Sequence, residues 1–306
     1  MVVTDGAEGQ NGHVDRSELS KRRIPQMLLC DGTTKLLSTA TQRSQPEHDA
    51  KQRFTVRGNG IVTGGTGALG QAACHALLEH GMEGLAIFDV DASAAGKQSV
   101  SLRERFPDRK IVIMQVDVTD EEAVENAVAQ ANEIVGPINH LACFSGIVGC
   151  LDALHTTPSY WKRMLDVNLT GAFLCAQAVA RTMVKKGLEG SITFTASISA
   201  HRVNYPQPQA AYNVSKAALI TLKNCLAAEW ARYGIRTNTI SPGYMDTVLN
   251  EGAGLAAVRR VWQDRNPSGR LGMPSELTGA IVLLASQAGT YINGSDLLVD
   301  GGQIVF

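Results

Sequence analysis

Tyr212 stands four residues before Lys216, and Ser197 precedes both. On a helix this spacing puts phenol and ammonium on one face, where the cation can make the phenol a stronger acid than its reference value of about 10. A phenol that exchanges a proton beside a hydroxyl donor suits a secondary alcohol or ketone, whose oxygen loses or gains a proton while a hydride moves at carbon. Ser197 would hold that oxygen by a hydrogen bond as charge develops on it. Ser199 is near enough to take the same place. Ser197 is preferred because Gly190-Ser191-Ile192-Thr193-Phe194-Thr195-Ala196-Ser197 runs on from a strand start without a gap.

Hydride transfer needs a carrier, and the turn Thr63-Gly64-Gly65-Thr66-Gly67-Ala68-Leu69-Gly70, directly after the apolar run Gly60-Ile61-Val62, offers a dinucleotide cradle. Gly64 permits the tight turn, and the small residues let backbone approach a pyrophosphate and a helix pack on its strand. Gly64, Thr66, Ala68, Leu69 and Gly70 are therefore candidate cofactor contacts. Asp89 follows nineteen residues beyond Gly70. A carboxylate there accepts hydrogen bonds from the adenosine ribose and repels a 2′-phosphate, favouring NAD over NADP, or it caps a helix starting near Ser93. Asp117 is placed either to reach the adenine edge or to form a strand-end turn, with Thr119 or Asp120 capping the next helix.

The elements that must position these residues are legible as an alternation of β-branched runs and helical patterns from Phe54 onward, the mark of a doubly wound α/β domain with a parallel sheet covered on both faces. Strands are predicted at Gly60–Thr63, Leu85–Phe88, Ile111–Val116, Ile138–Cys143, Ser191–Thr195, Arg236–Ile240 and Asp296–Val299. Helices are predicted at Ala68–His80, Ser93–Phe106, Glu121–Val135, Pro158–Lys186, Ala210–Tyr233 and Ser275–Ser286. Residues 1–53 are polar and poor in core-forming side chains, and read as a disordered extension. Its basic run Lys21-Arg22-Arg23 is diluted by Asp5, Glu8, Asp15 and Glu18, which argues against a mitochondrial transit peptide and leaves a cytoplasmic location as the expectation.

Of 306 residues, 44% are hydrophobic and 19% charged, as expected of a globular protein with ample core. A net charge of -1 and the lack of a basic stripe in the folded part argue against nucleic acid as a partner. No apolar run approaches the ~20 residues of a membrane span. The six cysteines show neither paired spacing nor accompanying histidines, so they read as reduced, buried side chains rather than metal ligands or disulfides.

Taken with Asn168 in Asp166-Val167-Asn168-Leu169-Thr170-Gly171, with Ser241-Pro242-Gly243 and with the terminal Gly294-Ser295-Asp296-Leu297-Leu298-Val299-Asp300-Gly301-Gly302, these motifs resemble the short-chain dehydrogenase/reductase family over residues 54–306. The resemblance implies a seven-stranded Rossmann-type fold. It implies a catalytic set of Ser197, Tyr212, Lys216 and Asn168, with Tyr212 and Lys216 also in contact with the cofactor, Lys216 at its nicotinamide ribose, and Asn168 supporting a water-mediated proton path. Pro242 and Gly243 are then expected beneath the nicotinamide, with Thr247 on its carboxamide or the pyrophosphate, although an ordinary Pro-Gly turn has the same letters. Association into a homotetramer or dimer through the two long helices is likewise an implication of the family.

One departure stands out. Where the family has Asn-Asn-Ala-Gly, this chain has Cys143-Phe144-Ser145-Gly146. Gly146 keeps the close approach to the cofactor, while Ser145 or water has to replace the missing asparagine in bracing the sheet. The loop between Ser197 and Tyr212 is two residues longer than is common in the family. Its His201, Asn204, Gln207 and Gln209 could bind several hydroxyls, and the pattern is similar to the fungal polyol branch of mannitol dehydrogenases, sorbose reductases and arabinitol dehydrogenases. A polyol or ketose such as arabinitol is the first expectation. A ketoreductase of secondary metabolism or a 3-oxoacyl thioester reductase is the alternative, supported by apolar Leu249, Leu255 and Trp262 within the variable segment 247–267. A non-catalytic dinucleotide-binding regulator is a third reading, supported only by the departure at Cys143-Phe144.

Overall fold

The computed structural model describes residues 26–29, 50–91, 101–247 and 253–305. The extension read at residues 1–53 lies almost wholly outside them, as do Cys30, Leu249 and most of the Ser93–Phe106 helix, of which residues 101–105 are helical.

Seven strands form one sheet: β1 (Asn59–Thr63), β2 (Gly84–Asp89), β3 (Lys110–Gln115), β4 (Ile138–Cys143), β5 (Gly190–Thr195), β6 (Ile235–Pro242) and β7 (Asp296–Val299). Every expected strand is present, in the order β3-β2-β1-β4-β5-β6-β7, and all adjacent pairs are parallel. The apolar runs of β1 and β2 are buried because helices cover both faces, as parallel crossovers require. Among the described residues the α-helices of eight or more residues are α1 (Ala68–Glu79), α2 (Glu121–Ile134), α3 (Pro158–Leu165), α4 (Gly171–Lys186), α5 (Ala210–Trp230), α6 (Ala256–Asp264) and α7 (Thr278–Ala285), and a short one at Ala50–Arg53 precedes them. On one face α2, α4 and α5 bury Val128, Val179, Met183 and Leu219 with Leu141 and Phe194 of the sheet. On the other, Leu77 of α1 and Leu284 of α7 pack with Val62 and Ile87. The winding direction reverses between β1 and β4, so a crevice opens there at the carboxyl ends of the strands.

Three local features differ from the sequence reading. The single helix expected from Pro158 to Lys186 starts and stops there, with Thr157 Oγ1 accepting from the Tyr160 amide at 3.2 Å, but a π turn at Asp166–Thr170 divides it into α3 and α4. The wide turn is stabilised by Asn168, whose buried amide is held by the backbone of Ile147. Secondly, α6 folds within the segment read only as variable. Thirdly, of the five described cysteines, all free, Cys74, Cys143 and Cys175 are buried as expected, whereas Cys150 and Cys225 are exposed. Cys150 lies in the loop after β4 that borders the crevice, and Cys225 is on a solvent-facing position of α5.

Among the described residues no group of His, Cys, Asp and Glu side chains is placed to hold a metal, and no helix is long and apolar enough to cross a membrane.

Candidate active site

The crevice is a cleft of about 1290 Å³. Gly64, Thr66, Ala68, Leu69, Gly70, Asp89, Asp117, Gly146, Ser197, Tyr212, Lys216, Pro242, Gly243 and Thr247 all line it. Of the candidate catalytic and cofactor residues, Asn168 alone lies behind the wall, with 1% of its surface exposed.

At the dinucleotide end, β1 turns into α1 at Gly64, whose φ of +64° is one that side-chain-bearing residues rarely adopt. A Cβ on Gly70 would lie 2.3 Å from the Gly64 carbonyl oxygen, so helix and turn touch backbone to backbone. The first residue before α1 is Gly67, and no side chain caps the helix, which leaves its N–H groups facing the cleft for an anion. Asp89 Oδ2 accepts from the Thr66 amide at 3.1 Å and from the Thr66 hydroxyl, while its Oδ1 accepts from the Asp91 amide at 3.3 Å. The carboxylate is thereby fixed against the glycine turn. Asp117 Oδ1 accepts from the Thr119 amide at 2.9 Å and hydroxyl at 2.7 Å, and these two donors hold its carboxyl below the usual range. Asp120, not Thr119, caps α2, accepting from the Ala123 amide at 3.0 Å. A nonspecifically glycine-rich turn would not need the bare helix end, the close α1 contact and the fixed carboxylate together; this combination fits a dinucleotide.

The departure at Cys143-Phe144-Ser145-Gly146 is accommodated by Thr63. Its carbonyl accepts from the Phe144 amide at 2.9 Å and its hydroxyl from the Ser145 amide at 3.3 Å. Thr63, the strand residue that opens the glycine turn, thus ties this segment to β1 through both its carbonyl and its hydroxyl.

At the chemical end, α5 presents Tyr212 and Lys216 one turn apart, with Lys216 Nζ 5.7 Å from the tyrosine ring centroid. Lys216 is buried and donates to the Thr195 carbonyl at 2.7 Å. Ser197, two residues beyond β5, lies beside the Tyr212 phenol and accepts from the Ser199 amide at 3.1 Å. Ser199 stands behind it, taking the Ser197 hydroxyl proton at 3.0 Å, so Ser197 and not Ser199 adjoins the phenol.

The phenol is not more acidic than usual in the protein alone. Burial pushes Tyr212 up to about 12, against the Ser197 hydrogen bond that favours the phenolate. Burial likewise brings Lys216 down to about 8, opposed by the neighbouring Cys143 thiol. The same desolvation that makes the ammonium expensive makes the phenolate expensive, so the pair holds one proton that leaves near pH 8 and another that leaves far above it. Alcohol oxidation needs the form that has lost one proton. Its kcat/KM is expected to rise about tenfold per pH unit up to about pH 8 and then level, while ketone reduction stays flat below that pH and falls above it. Rate profiles in both directions at saturating cofactor check this; an oxidation rate independent of pH from roughly 6 to 9 would contradict it.

Asn168 is fully engaged. Its Oδ1 accepts from the Ile147 amide at 2.8 Å, and its Nδ2 donates to the Ile147 carbonyl at 2.9 Å and to Ser215 Oγ at 3.0 Å. It holds in place the segment beside Gly146.

The substrate half is walled by residues 197–199, Asn204, Gln207 and Gln209, by Tyr244 and Met245 after β6, and by Trp262 of α6. Trp262 of α6 stacks on Tyr244 with ring centroids 4.1 Å apart and donates to Gln207 Oε1 at 3.1 Å. Trp262 is thus a packed strut, and Gln207 is committed to it. His201, expected to face substrate, instead places Nε2 2.8 Å from Asp296 Oδ2 and 3.2 Å from Ser241 Oγ, because β7 offers it a carboxylate. Tyr244 and Cys150 were missed as wall residues. The tyrosine directly after Pro242-Gly243 was the available signal for the first, and nothing in the sequence marked the second.

Residues 65–303 match the enoyl-(acyl carrier protein) reductase family. The chain is 37% identical over 246 residues to a galactitol 2-dehydrogenase (L-tagatose-forming) of Cereibacter sphaeroides, covering 80% of this chain and 94% of that one. It is 34% identical over 260 residues to an NADP-dependent mannitol dehydrogenase of Alternaria alternata, covering 84% and 96%. The solved structure of a short-chain type dehydrogenase/reductase from Mycobacterium marinum superposes with a TM-score of 0.79 at 35% identity, covering 83% of this chain and 99% of that one.

Proposed function

This chain belongs to the short-chain dehydrogenase/reductase family, and on that premise we propose that it interconverts a polyol and the corresponding ketose, with NAD preferred to NADP. The carrying observation is the cleft itself, which joins a Ser197-Tyr212-Lys216 cluster to a substrate wall rich in buried amides.

In oxidation, Tyr212 takes the proton of the substrate hydroxyl. Lys216, fixed by Thr195, stabilises the phenolate, and the Ser197 hydroxyl, which donates to Ser199 in the free site, would turn to the substrate oxygen as its charge changes. Gly64, Thr66, Ala68, Leu69 and Gly70 would cradle the pyrophosphate, Asp89 the adenosine ribose and Asp117 the adenine. Gly146, Pro242, Gly243, Thr247 and Lys216 would hold the nicotinamide end. The bound dinucleotide supplies the hydride acceptor or donor. Asn168 would position the Gly146-Ile147 segment and, as the family resemblance implies, support a water-mediated proton path.

NAD preference rests on the fixed carboxylate of Asp89, although the mannitol relative is NADP-dependent by name. The ketoreductase reading is supported by Leu255 in the cleft wall, but its other apolar support, Trp262, is packed against Tyr244. Assembly as a homotetramer or dimer in the cytoplasm completes the proposal. Its test is a panel of pentitols, hexitols and hydroxyacyl thioesters assayed with NAD and with NADP. Highest kcat/KM for a polyol such as arabinitol with NAD is expected; activity confined to bulky ketones with NADPH would overturn the reading.

A further inference from the structure

Four polar side chains of the loop after Ser197 were candidates to meet substrate, and the structure separates them. His201 is turned to Asp296 off the cleft wall, and Gln207, on the wall, gives its Oε1 to the Trp262 indole. Asn204 and Gln209 also line the cleft and are only 5% and 8% exposed.

Asn204 Nδ2 donates to the Tyr244 hydroxyl at 2.9 Å, but its buried Oδ1 has no hydrogen-bond partner among the described residues. Interchanging the amide nitrogen and oxygen changes nothing, because a tyrosine hydroxyl can donate or accept and one amide atom is left over either way. Gln209 is similarly under-used. It precedes α5, yet its side chain makes no capping bond. It reaches Ser199 Oγ only at 3.4 Å, and its Oε1 takes only the Cys150 thiol at 3.6 Å. Such long contacts are weak, and buried amides left so poorly paired are costly unless a ligand completes them.

We propose that Asn204 and Gln209 are specificity-determining residues that read hydroxyls on the carbons next to the reacting one, in an extended polyhydroxy chain. This rests on the polyol reading above. Each amide both donates and accepts, as each hydroxyl does, so a run of adjacent hydroxyls pairs with both. A thioester or simple ketone would leave them unpaired, and a site built to bond hydroxyls rejects analogues that lack them. The stack of Tyr244 on Trp262 keeps Asn204 in position through the tyrosine hydroxyl.

The test compares wild type with Asn204→Ala, Gln209→Ala and the double variant, using arabinitol and 2-butanol with NAD. Asn204→Ser, which keeps a polar group, is included should Asn204→Ala fold poorly. Each single change is expected to raise KM for arabinitol about tenfold with a much smaller effect on kcat, and the double change about a hundredfold. The ratio of kcat/KM for arabinitol to that for 2-butanol should fall in parallel wherever the simple alcohol reacts. Unchanged KM for arabinitol in both single variants, or equal losses on both compounds, overturns the inference while leaving the polyol reading intact. A wild type that oxidises simple alcohols but no polyol overturns both.

Discussion

Tyr212→Phe is expected to lower kcat by about 10³-fold or more while leaving dinucleotide affinity within about twofold. General acid-base transfer by a positioned side chain contributes roughly 10² to 10⁴ in rate, and here no neighbour can replace it. The aliphatic hydroxyl of Ser197 is far too weak an acid to take over the proton transfer, and Lys216 is held by the Thr195 carbonyl. The ring remains in the variant, so its packing and the 5.7 Å approach of the ammonium persist. Cofactor titration by NADH fluorescence and single-turnover rates separate the two effects. A variant that keeps more than about a tenth of wild-type kcat would remove Tyr212 from the proton path. Loss of affinity and rate together would make it a packing residue instead.

Asp89 governs the other half of the site. Asp89→Ala is expected to lower kcat/KM for NAD by tenfold to a hundredfold and to raise it for NADP, moving the preference between them by about a hundredfold or more. The first part follows from losing hydrogen bonds to a charged acceptor, worth about 1.5–3 kcal/mol, and the second from removing like-charge repulsion of a 2′-phosphate. Because the carboxylate also ties down Thr66, a loss for NAD alone would be ambiguous. Asp89→Asn resolves this: it keeps an acceptor for Thr66 and removes the charge, so it should recover part of the NAD activity and retain the gain with NADP. If both variants keep the wild-type NAD to NADP ratio, Asp89 serves the turn and not the choice of cofactor.

Strands such as β1 and β2 were legible because each is an apolar run bounded by turn residues, and burial on both faces leaves such runs little alternative. The catalytic set was legible for a different reason. Tyr212 and Lys216 fall on one helical face by their spacing alone, whereas Ser197 was joined to them by the family pattern. What escaped depended on side chains meeting across long separations. The engagement of His201 by Asp296 and of Gln207 by Trp262 could not be read from the loop that carries them. The Thr63 brace was hidden because a threonine at a strand end is unremarkable until a distant amide approaches it. Desolvation reversed the expected acidity of Tyr212, since spacing reports that a cation is near but not how dry the pair will be. The helix α6 was recoverable in principle: Val258, Val261 and Trp262 recur at helical spacing.

The π turn at Asp166–Thr170 makes the helix that carries it two rotational units rather than one. A regular helix locks the direction of every side chain to those before it, so a stretch facing a cleft and a stretch facing a core must share one phase. The wider turn resets that phase. It lets Ser159, Lys162, Arg163 and Asp166 face the cleft while Ala172, Cys175, Ala176 and Val179 face the sheet. The rim of the cleft can therefore be redrawn on α3 without disturbing the packing of α4, and the two surfaces are free to vary independently in sequence.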